Sequence, residues 1–98
     1  MKSSQKNNVL KTLAELLKRQ EDEIMRANGV DMDAFPDMDA SMRDRLKVDG
    51  PKIEGMIRSL GEVAAQADPE GKILYQHTRE DGLQIENRTV PFGTILII

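Results

Sequence analysis

Apolar residues in the first part of the chain recur at three- and four-residue steps. Val9, Leu10, Leu13, Leu16, Leu17, Ile24 and Met25 make one such series between Ser4 and Asn28, the stripe of an amphipathic helix with one face meant for burial. A polar run interrupts the stripe around Arg19 to Asp22, which predicts a break or bend there. Asn28-Gly29, a pair that tolerates left-handed backbone, predicts the C-cap. The stretch from Asp31 to Asp39 holds four aspartates and Pro36 and reads as irregular, with Phe35 as its apolar anchor. A short helix is expected from Asp39 or Ala40 to Leu46. Asp49-Gly50-Pro51 then opens a second long helix, with proline at its first position and a stripe of Ile53, Met56, Ile57, Leu60, Val63, Ala64 and Ala67. It ends before Asp68-Pro69-Glu70-Gly71.

From Lys72 the pattern turns extended. Segments 72–79 and 83–90 flank Asp81-Gly82, a hairpin signal because both positions accept positive φ. Leu83, Ile85 and Asn87 share one face and Gln84, Glu86 and Arg88 the other, so this strand is expected to be half exposed. Pro91-Phe92-Gly93 separates the ribbon from Thr94-Ile95-Leu96-Ile97-Ile98, which reads as a strand for the interior of a covered sheet. Leaving its four large aliphatic side chains in water forgoes roughly 1.5–3 kcal/mol each. These residues are therefore expected to be sandwiched within a larger body, of which this chain is the front end. The expected class is α+β, helices followed by a β-hairpin and one strand, divided as 1–71, 72–91 and 92–98.

Composition narrows the functional classes. Ninety-eight residues with 39% hydrophobic content suffice for one small domain. Fourteen basic and 17 acidic residues, interspersed, give a net charge of -3, so there is no basic footprint for nucleic acid or anionic lipid. Cysteine is absent, which removes disulfides and thiol nucleophiles and is compatible with a reducing compartment. Polar residues follow Met1-Lys2, without a signal-like or membrane-length apolar run. A cytoplasmic location is the expectation.

Several clusters invite chemistry and are declined. Asp31, Asp33 and Asp37 have the outline of a calcium loop, but Pro36 replaces the glycine of its sharp turn and Met42 stands at the bidentate glutamate position. Glu21-Asp22-Glu23 reads as a solvated helical face, since acid–base carboxylates need burial or facing partners. His77, the one histidine, has no relay partner in the sequence. Asn87-Arg88-Thr89 has the form of a glycosylation acceptor, which matters only in secreted chains. No Gly-x-Gly-x-x-Gly or Walker loop occurs. The methionines read as adaptable packing. No catalytic, cofactor-binding or metal-ligating residue is assigned.

The order of many weak features carries a resemblance. Lys6-Asn7-Asn8 with Leu10, Leu13, Leu16 and Leu17, then Ile24-Met25-Arg26-Ala27-Asn28, Asp44-Arg45-Leu46, Ile53 with Met56, Val63-Ala64, Asp68-Pro69-Glu70-Gly71, Gly82-Leu83-Gln84-Ile85-Glu86 and Val90-Pro91-Phe92-Gly93-Thr94-Ile95 stand in this sequence. Together they resemble the amino-terminal quarter of the gamma-glutamyl phosphate reductase family, within the aldehyde dehydrogenase superfamily.

The resemblance implies a fragment of an α/β aldehyde dehydrogenase-like fold. It implies a parent that reduces L-glutamate 5-phosphate to glutamate 5-semialdehyde with NADPH in proline biosynthesis. A cysteine thiolate serves as nucleophile in that family, beyond residue 98, so this piece alone is expected to be inactive. The hairpin of 72–91 would belong to the dimerisation arm of a homo-oligomer, and 92–98 would begin the nucleotide-binding domain. The alternative from the residues themselves is a complete small helical interaction protein that docks by β-addition.

Overall fold

The computed structural model describes all residues, 1–98, in two compact units, Met1–Gln66 and Ala67–Ile98. The first holds four helices: α1 Ser3–Arg19, α2 Glu21–Ala34, α3 Ala40–Leu46 and α4 Gly50–Ala65. The second holds an antiparallel pair, β1 Ile73–Thr78 and β2 Gln84–Arg88. The piece is thus α+β.

The expected break falls at Gln20. Its φ of -102° and ψ of 14° interrupt the helix for one residue, while its N–H still bonds Leu16 O and its carbonyl still accepts from Ile24. Charge explains the position. Lys18 and Arg19 close α1 where its carbonyls are exposed, and Glu21, Asp22 and Glu23 open α2 where its N–H groups are exposed. Both placements suit the helix dipoles. Lys18 Nζ and Glu21 Oε2 bridge the break at 3.7 Å.

Asn28-Gly29 does not end α2. The helix runs on to Ala34, and Gly29 keeps an ordinary helical backbone with no positive φ. The Asn28 side chain is instead used at long range. Phe35 is likewise no anchor: it caps α2 and is 62% exposed. The two following starts agree with their capping residues. Asp39 Oδ1 accepts from Met42 N at 2.8 Å ahead of α3, and Asp49 Oδ1 accepts from Lys52 N at 3.1 Å ahead of α4. Each aspartate satisfies a backbone donor that a helix start leaves open. Pro51 occupies the second position of α4, one later than expected, because Gly50 is already helical.

The core is small. Ile53 of α4 has no exposed surface and is the one fully buried residue. Half-buried Leu10, Ala14 and Leu17 on α1, Ile24 and Met32 on α2, Leu46 on α3, and Ile57, Leu60 and Ala64 on α4 supply the rest of the seam. Helices α1 and α4 pack most extensively, and α2 touches α1, α3 and α4. The stripes are wider than this seam. Val9, Leu13 and Leu16 on α1, with Met56 and Val63 on α4, stay exposed, because one neighbour covers only one edge of each stripe.

In the second unit, Tyr75 faces Asn87, Gln76 faces Glu86, His77 faces Ile85 and Thr78 faces Gln84, with a register irregularity between Ile73 and Tyr75. The turn is one residue longer than a two-residue Asp-Gly loop. Gly82 N donates to Arg79 O at 3.0 Å and Arg79 N to Leu83 O at 2.7 Å, enclosing Glu80-Asp81-Gly82. Only Gly82 takes positive φ, at 87°, the arrangement of a type I turn closed by a glycine bulge. Asp81 remains in ordinary backbone because its carboxylate accepts from Leu83 N at 3.1 Å. All residues of both strands are exposed, so the expected half-burial of β2 is not met. Residues 94–98 form no strand and are exposed; a strand exists by pairing, and β1 and β2 pair only with each other.

Candidate functional site

The polar groups that the structure draws together are structural ties. In the helical unit Asn28 is the principal one. Its Nδ2 donates to Leu46 O at 2.8 Å and its Oδ1 accepts from Val48 N at 2.8 Å. Those two backbone groups flank Lys47, where α3 has ended and α4 has not begun, so they have no ladder partner of their own. One side-chain amide, carrying a donor and an acceptor, satisfies both. Lys52 adds a second tie: its Nζ donates to Asp44 O at 2.6 Å and to Lys47 O. Arg43 Nη1 reaches back to Met32 O at 3.4 Å. The link between α3 and α4 is thereby held by Asn28 and Lys52, and Arg43 fastens α3 to α2.

Thr89 plays the same part in the hairpin unit. Its Oγ1 accepts from Lys72 N at 2.9 Å and donates to Pro69 O, while its own N–H donates to Lys72 O at 2.8 Å. The Asp68–Gly71 turn is thus fastened to the base of the ribbon, and the threonine of Asn87-Arg88-Thr89 is a structural hydroxyl. Thr89→Val keeps the shape and removes both hydroxyl bonds. Each such bond is worth about 0.5–1.5 kcal/mol net. The expected result is faster amide exchange at Lys72 and Thr89 in hydrogen-exchange NMR, with Glu80–Leu83 unchanged; unchanged protection at Lys72 would contradict the tie.

The residues weighed as chemistry do not assemble. No three His, Cys, Asp or Glu side chains lie together as a metal-holding group. Asp31 and Asp33 lie in the last turn of α2 and Asp37 in the turn after it. Glu21 pairs with Lys18, and its Oε1 lies 3.6 Å from where a side chain on Gly50 would begin. His77 stacks on Tyr75 with ring centroids 6.5 Å apart and lines a hollow with Arg79, Glu80 and Asp81. Arg79 is already engaged by Asp81 at 3.3 Å.

Among its charged surface residues the fold also presents apolar side chains outward. Leu13, Leu17, Met56, Leu60 and Val63 line a groove between α1 and α4, and Val9, Leu13 and Leu16 continue it along α1. The ribbon adds exposed Ile73, Leu74, Tyr75, Leu83 and Ile85. Exposed apolar surface on this scale marks interaction faces. Sequence reasoning missed Asn28, Lys52 and Thr89 as ties. The one local signal was that Asn28 falls three to four residues after Ile24 and Met25, on the packed side of α2.

No family model matches the chain. It is 40% identical over 95 residues to the gamma-glutamyl phosphate reductase of Sulfurovum sp., covering 95% of this chain and 23% of the relative. With that of Bartonella tribocorum it is 42% identical over 98 residues, covering 98% and 24%. The crystal structure of gamma-glutamyl phosphate reductase from Thermotoga maritima superposes with a TM-score of 0.77 at 32% identity, covering 88% of this chain and 21% of that one. The chain spans about a quarter of the length of the curated relatives it matches. In sequence along nearly its whole length, and in fold, this chain is similar to that quarter of a gamma-glutamyl phosphate reductase.

Proposed function

We propose that this chain is the amino-terminal part of a gamma-glutamyl phosphate reductase, the proline-biosynthesis enzyme that reduces L-glutamate 5-phosphate to glutamate 5-semialdehyde with NADPH, and that it works as structural framework within an α/β aldehyde dehydrogenase-like whole. The observation that carries this reading is the agreement of sequence and fold over a stretch that is only about a quarter of each relative. Exposure of both faces of the ribbon supports a role for the hairpin as an arm between subunits of a homo-oligomer. No helix is long and apolar enough to cross a membrane, which accords with a cytoplasmic biosynthetic enzyme.

The reacting groups lie outside these residues. The thioester route needs a thiolate, and the chain has no cysteine. Two of its hollows lack the groups that a nicotinamide nucleotide would call for. The α1–α4 groove is apolar, and the hairpin hollow sets Glu80 and Asp81 beside Arg79, whereas a pyrophosphate calls for convergent N–H groups or free cations. What this chain contributes is packing surface and, through the ties at Asn28 and Thr89, the shape of that surface.

The test compares two proteins: the 98 residues alone, and a chimera in which they replace the corresponding quarter of the Thermotoga maritima reductase. The expected result is acyl-phosphate-dependent NADPH oxidation by the chimera and none by the 98 residues. Turnover by the isolated chain, or a folded chimera without activity, would overturn the reading.

A further inference from the structure

We infer that Asn28-Gly29 is a covalent modification site, a deamidation site that the Asn28 clamp holds shut while the helical unit is folded. The reaction belongs to the asparagine itself. The backbone nitrogen of Gly29 attacks the side-chain carbonyl carbon of Asn28, the bond to the amide nitrogen breaks, and ammonia leaves. Water then opens the succinimide ring at either carbonyl to give aspartate or isoaspartate. No electrons are exchanged, and water is the only co-reactant. A following glycine favours ring closure because it has no side chain to obstruct the approach and leaves the backbone free to rotate.

The folded chain withholds both reactants. Gly29 lies inside α2, where an amide N–H points at the carbonyl one turn back. The amide group under attack is held at both ends, Nδ2 on Leu46 O and Oδ1 on Val48 N, each at 2.8 Å and partly buried. The glycine, moreover, is not demanded by the fold. Its φ is not positive, and nothing lies within 4 Å of the position a Cβ would take. The pair is reactive by sequence and quiet only by structure.

Conversion damages the structure that prevents it. A carboxylate keeps an acceptor for Val48 N–H but loses the donor to Leu46 O and sets negative charge against that carbonyl. Isoaspartate adds a methylene to the backbone of α2 and breaks its register. A parting of α2 from the link between α3 and α4 therefore becomes permanent once the ring has closed, and the modified residue is a one-way record of it.

Peptide mapping by mass spectrometry tests this on the full chain, incubated at one pH with and without denaturing urea. The readout is aspartate plus isoaspartate at Asn28, with Asn8 and Asn87 as internal references because Val9 and Arg88 follow them. In urea Asn28 is expected to convert ahead of both references. Without urea it is expected to convert at least about tenfold more slowly, equivalent to about 1.4 kcal/mol of protection. Gly29→Ala is expected to suppress conversion in urea and, without urea, to leave the helical circular dichroism intact. Equal rates in the two conditions, or an Asn28 no faster than Asn8 and Asn87 in urea, would overturn the inference.

Discussion

Ile53→Ala is expected to lower the stability of the helical unit by about 2–5 kcal/mol, the range for removing most of a buried isoleucine and leaving a cavity. Ile53 is the one side chain with no exposed surface, so every atom removed from it comes out of packed surroundings. Alanine returns part of this through better helix propensity, but only by about 0.5 kcal/mol, and the sign stands. Ile53→Val, which removes one methylene, is expected to cost about 0.5–1.5 kcal/mol. Urea titration followed by far-ultraviolet circular dichroism measures both. Because a whole domain is held by only about 5–15 kcal/mol, Ile53→Ala takes a large share of the total. A loss no larger than that of Ile53→Val would show that the α1–α4 seam closes without it.

Asn28→Ala is expected to cost about 2 kcal/mol, from two side-chain hydrogen bonds at roughly 1 kcal/mol each. The deleted amide leaves Leu46 O and Val48 N–H with no partner in the link between α3 and α4, a region that is partly buried. Water reaches some of it, which keeps the cost below that of two sealed orphan groups. The comparison is Asn8→Ala, on the exposed side of α1, expected to stay within about 0.5 kcal/mol. The same denaturation measurement applies, with amide exchange at Val48 as a local readout. If Val48 stays protected while global stability drops, the loss comes from α2 itself and the clamp is not its source.

Much of the fold was legible because it rests on local rules. Stripes at helical spacing located α1 and α4, aspartates marked the starts of α3 and α4, and the Asp81-Gly82 turn located the ribbon. What stayed hidden depended on distance. Asn28-Gly29 has the local form of a helix end, and only partners 18 and 20 residues away show that the asparagine is claimed elsewhere. Phe35 looked like an anchor because aromatic residues usually are, yet nothing in this chain covers it. Thr89 offered no signal, since a single hydroxyl that unites a turn with a ribbon has no pattern. The exposed halves of the stripes and the bare faces of β1 and β2 have one further cause. Apolar periodicity records that a face is to be covered and is silent about which chain segment covers it. Of the chemistry, composition alone settles one point, that these residues hold no thiol.

The ties at Asn28 and Thr89 also bear on the tempo of folding. Each spans no more than 20 residues, and closing loops of that size costs little more than closing shorter ones, about 0.6 kcal/mol per doubling. Neither the helical junction nor the base of the ribbon has to wait for remote sequence to form its ties, a circumstance associated with fast barrier crossing. A nascent polypeptide containing this stretch can set its helical junction and its ribbon early, while the rest of the packing is still being decided.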